Sequence, residues 1–156
     1  MKAEDLVPCE TWIEALLAPH AIEVRERGLV LRRDFGDRPW MRRGSASEAA
    51  LKRLFLFVFA TVPDGCEIYL ATLRSPAPVS ALGTGMLALR WQVAGRENRG
   101  SGDGPIALRP VAGDATKHVD SRSARDLALA FSRADWDFEL SRTADDRELW
   151  ARVTFS

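Results

Sequence analysis

The run ALKRLFLFVFATVPDG, residues 50–65, constrains this chain more than any other. Its first half sets Lys52 and Arg53 among apolar side chains, and its second half, LFLFVFA, is apolar on every face. Ser45 and Glu48 stand in front of it at capping-box spacing, and Ala-Ala-Leu-Lys-Arg favours helix. Phe and Val would also suit a buried strand, but the cap decides for a helix starting at Ser45. An apolar end of this kind must be buried on more than one side. Pro63, Asp64 and Gly65 then form a turn, because Pro fixes φ and Gly accepts a positive one.

The flanking segments supply the layers such a helix needs. ETWIEALLAPHAIEVRERG (10–28) has helical periodicity, with Thr11 and Glu14 as a capping box and Trp12, Ile13, Leu16 and Leu17 as the buried stripe. Pro19 kinks or splits it, and Gly28 stops it. LVLRRDF (29–35) alternates as a strand, and GDRPWMRRG (36–44) reads as a connector. CEIYLATL (66–73) and MLALRWQV (86–93) alternate as an antiparallel pair across the loop RSPAPVSALGTG. The LGTG in that loop precedes a strand, so it reads as a turn and not a phosphate loop. Residues 95–122, rich in Gly, Ser, Asp and Pro, read as one long loop. SARDLALAFSRA (123–134) is helical, and DWDFELS and ELWARVTFS are closing strands. The fold class is α/β: a two-layer sandwich with about three helices on one face of a mixed, mostly antiparallel sheet of about five strands.

Composition narrows the function classes. The 156 residues balance 22 Lys and Arg against 22 Asp and Glu, which gives no overall pull toward nucleic acid or an anionic membrane. No apolar run is long enough to span a bilayer, and MKAEDLVPCE lacks the apolar core of a signal peptide. Cys9 and Cys66 are neither close nor numerous enough for a metal site or a disulfide framework, and read as reduced thiols. The expectation is a single cytoplasmic domain over residues 1–156. His20 and His118 lack a partner at motif spacing and read as surface or locally bonded side chains.

In this order, the segments resemble the ATP-binding catalytic domain of bacterial sensor histidine kinases, whose fold is shared with the GHKL ATPases. RDFGDRPWMRRGSASEAALKRLFLFVF (33–59) looks like that family's strand followed by D-P-x-R-L-x-Q-V-L-x-N-L-L-x-N-A. VPDGCEIYL (62–70) is similar to its T-P-x-G-G-x-I turn and strand. ARDLALAFSRA (124–134) resembles the glycine-rich G-L-G-L-A-I-x-R helix start, and WDFELSRTADDRELWARVTFS (136–156) the closing hairpin. The resemblance covers about residues 10–156 and makes residues 95–122 the counterpart of the ATP lid. FATVPDG is also similar to the second domain of alphaproteobacterial histidine phosphotransferases, a kinase-like fold without ATP.

The nucleotide chemistry departs from the family pattern at three places. The family's second helix carries an Asn that binds the Mg²⁺ bridging the ATP phosphates; that place falls at Thr61 or Phe57 here, and neither replaces a carboxamide oxygen. The Asp of the family's D-x-G-x-G accepts a hydrogen bond from adenine. Ala94 stands at its place, and Asp103, in SGDGPI, lies about ten residues late. The glycines that bring backbone N–H groups onto the phosphates correspond to Asp126 and Ala128, and an Asp side chain repels phosphate.

The resemblance and these losses together imply a non-catalytic histidine-kinase-like domain, without a cofactor, that acts by protein–protein contact in two-component or phosphorelay signalling. Its partner would be a histidine kinase or response regulator, with a homodimer also open and no role for nucleic acid or membrane. Trp40, Arg42 and Arg43 in RPWMRR form a candidate partner patch, set against a plain solvated connector. One alternative is a divergent but live Mg·ATP site using Thr61, Asp64 and Gly65 near phosphate, with Asp126 beside it and Asp103 or Asp114 on adenine. The other is an α/β structural domain with an unrelated ligand.

Overall fold

The computed structural model describes residues 6–36, 39–73, 85–93, 112–143 and 147–155, with 112–121 as backbone alone. The elements run β1 (Leu6–Pro8), α1 (Cys9–Leu17), a 3₁₀ turn (Ala18–His20), α2 (Ala21–Arg27), β2 (Val30–Asp34), β3 (Trp40–Arg42), α3 (Ser45–Thr61), β4 (Glu67–Leu73), β5 (Gly85–Gln92), α4 (Ala112–Arg133), β6 (Asp137–Arg142) and β7 (Glu148–Phe155). Five strands form one sheet in the order β2-β4-β5-β7-β6. β2 and β4 are parallel, Val30 opposite Glu67, and the other neighbours are antiparallel. The mixed, mostly antiparallel sheet expected from the sequence is therefore present, with its helices on one face.

Period-two alternation makes the two faces of the sheet chemically different. On the helix side Leu70, Leu89, Ala151 and Leu140 form a buried row across four strands. α3 lies over this side and buries Leu51, Leu54, Phe55 and Val58 to 2% exposure or less. Each such side chain contributes about 1.5–3 kcal/mol of hydrophobic burial. α4 adds Ala124, Leu127, Ala130 and Phe131, spaced for one helix face, and the Phe131 ring stacks on Phe138 at 4.8 Å. On the opposite side of the sheet Tyr69, Arg90 and Trp150 stand in register, and the Arg90 guanidinium lies 5.4 Å and 5.1 Å from the two ring centres. Ion pairs Arg32–Glu67 and Arg152–Glu139 make that side a solvated one.

Several local expectations are corrected. The capping box at Thr11 and Glu14 is absent: α1 begins at Cys9 behind an extended Pro8, and the Cys9 N–H donates 2.8 Å to the Pro39 carbonyl. The connector 36–44 contains β3, which pairs with β1 in a separate two-stranded sheet. α3 starts at Ser45 as expected, but its cap is not Ser45 with Glu48. The Gly44 N–H donates 2.9 Å to Ser47 Oγ, whose hydroxyl lies 3.2 Å from the Arg42 carbonyl. The apolar end of α3 is buried on more than one side as expected, with Leu54, Phe55, Phe57, Val58 and Phe59 all buried, while Leu56 is 59% exposed. The expected loop 95–122 ends earlier: residues from Ala112 onward belong to the 22-residue α4.

Other expectations hold. Pro19 divides the first helical stretch, with the 3₁₀ turn between α1 and α2. Gly28 closes α2 at φ 68° and Gly65 closes the Pro-Asp-Gly turn at φ 79°. Among the described residues, no helix is long and apolar enough to cross a membrane.

Candidate functional site

A groove of about 420 Å³ runs between α3 and α4. Its lining includes Phe57, Thr61 and Asp126, positions that the resemblance matches to the family's second-helix Asn and glycine-rich helix start. α3 gives Arg53, Leu56, Phe57, Ala60 and Thr61, and α4 gives Ser123, Asp126 and Leu127. The spacing 53, 56/57, 60/61 is one helical face, so a single stripe of α3 forms one wall.

Thr61 is committed inside this site. Its hydroxyl lies 2.9 Å from the Phe57 carbonyl and 3.2 Å from that of Val58, one turn back. The same oxygen accepts the Trp91 indole N–H at 2.8 Å. A hydroxyl has one proton and two lone pairs, so the proton and one pair are in use. Phe57 packs edge-on to Trp91, ring centres 6.1 Å apart, and is 6% exposed. Phe57 and Thr61, the two positions where the resemblance would set the family's Asn, thus anchor the central strand β5 to α3.

Asp126 lies well inside α4, fourteen positions beyond its first residue, Ala112. Only the first four N–H groups of an α-helix lack an intrahelical partner. The backbone beside Asp126 is therefore spent on the helix itself and presents no N–H cradle for phosphate. The Asp126 carboxylate is exposed and adds negative charge to the wall. Among the described residues, no group of three or more His, Cys, Asp or Glu is placed to hold a metal ion. Thr61, Phe57 and the helix-interior backbone at Asp126 do not fit a Mg²⁺–nucleotide complex.

Asp64 and Gly65 sit away from the groove. Arg27, at the end of α2, donates from Nε to Asp64 Oδ1 at 2.6 Å, and its backbone carbonyl accepts the Gly65 N–H at 2.9 Å. The same guanidinium donates to the carbonyls of Phe59 (2.8 Å) and Val62 (2.5 Å) and to Glu23 (2.7 Å). Arg27 therefore caps the C-terminal end of α3 and ties the turn to α2. Its hydrogen bond to Asp64 holds the guanidinium pKa above its ordinary value. Its pairing with Glu23 is local, at i−4, but the partners that make it a cap lie 32 to 37 residues away and leave no local trace in the sequence.

Asp103 falls outside the described residues, and of Asp114 only the helical backbone is described. Trp40, 42% exposed, and Arg42 lie on β3, and Arg43 lies between β3 and α3. Arg43 lines a second groove, of about 530 Å³, between α1 and α3.

The chain has the fold of histidine kinase catalytic domains. The catalytic domain of histidine kinase ThkA, in a nucleotide-free form, matches with a TM-score of 0.62 at 6% identity, over 96% of this chain and 94% of that one. The cytoplasmic segment of histidine kinase QseC gives 0.61 at 8% identity, over 97% and 76%. A histidine kinase from Burkholderia phymatum gives 0.59 at 17% identity, over 97% and 70%. Identities this low establish the fold and leave the chemistry to the residues. No family model matches the sequence, and no curated protein sequence matches it.

Proposed function

We propose that this chain is a non-catalytic member of the histidine-kinase-like fold, working through protein–protein contact in a two-component or phosphorelay setting. One observation carries the proposal: of the two candidates for the metal-binding Asn position, Phe57 has no ligand atom and the Thr61 hydroxyl is already bonded to Trp91. Asp126, exposed in the middle of α4 and not at its start, supports it from the opposite wall. On this reading the fold is kept for its surface, no nucleotide or Mg²⁺ is bound, and the partner is a signalling protein such as a histidine kinase or response regulator. A fluorescent ATP analogue, competed with unlabelled ATP, tests it. The expected result is no displaceable signal; a signal displaced by ATP would establish the live-site alternative.

A further inference from the structure

We draw no further inference here: the strongest candidate, the hollow of about 410 Å³ on the open face of the sheet lined by Leu73, Met86, Ala88 and Trp150, is an apolar stretch of an unpartnered sheet face, and nothing in the structure shows what covers it.

Discussion

The Trp91 indole donates 2.8 Å to the Thr61 hydroxyl, joining the last turn of α3 to the core face of β5. Trp91 is 1% exposed, so its N–H has no solvent to turn to. Thr61→Val, similar in shape, should cost about 1–3 kcal/mol, because it leaves a buried donor unpaired. Thr61→Ser should cost markedly less. Urea unfolding followed by tryptophan fluorescence measures both, and equal losses would contradict this account of the bond.

Arg27 links three pieces of chain that no local pattern connects. Arg27→Ala should lose roughly 1–3 kcal/mol, as the Phe59 and Val62 carbonyls lose their donor at the end of α3. Lys should rescue little, since a single ammonium cannot reproduce the guanidinium fork. Asp64→Ala, at a 73% exposed side chain, should cost at most about 1 kcal/mol. Thermal melts of the three variants separate the helix cap from the surface ion pair.

Gly85 opens β5 under close packing. An added Cβ would come within 2.8 Å of Pro39 Cβ and 2.9 Å of the Phe155 ring. Gly85→Ala should therefore destabilise by about 1–3 kcal/mol, through overpacking and not through backbone conformation. Phe155→Leu combined with Gly85→Ala should recover part of the loss in the same denaturation assay.

Burial pushes the Cys9 thiol up to about 12, with Glu10 adding to the shift, while an unfolded chain holds it near 9.0. Between those values the unfolded state binds fewer protons than the folded one. The contribution of Cys9 to stability is thus complete below about 9 and is lost as pH rises toward about 12. Ellman's reagent at neutral pH should label Cys66, which is half-buried, and spare Cys9 until the protein unfolds. Rapid labelling of both in the native state would contradict the burial.

The parts of the fold legible in the sequence were those fixed by local chemistry. The start of α3 at Ser45, the Pro63–Gly65 turn, the break at Pro19 and the alternation of β4, β5 and β7 each follow from residues a few positions apart. What escaped was set by distant contacts. Pro8 caps α1 because the β1–β3 pairing holds it extended and Pro39 accepts the Cys9 N–H. β3 is three residues long and shows no period of its own. The first half of α4 carries Gly113, Asp114, Asp120 and Ser121, poor helix formers that read as loop. At the site, the absence of Asn at Phe57 and Thr61 was plain, but the bond from Thr61 to Trp91 was not. Its only sequence trace is that Trp91 shares the core-facing alternation of Leu87 and Leu89.

The most direct measurement is calorimetric titration of ATP and ADP, with and without Mg²⁺, into the parent chain and into Phe57→Asn/Asp126→Gly. Phe57 and Thr61 pack onto Trp91, and the backbone at Asp126 is helix interior, so restoring two side chains does not rebuild a phosphate cradle. Neither protein should give saturable heat or thermal stabilisation at millimolar nucleotide. Saturating heat corresponding to about −8 to −4 kcal/mol in the parent chain would show a live nucleotide site and contradict the non-catalytic account.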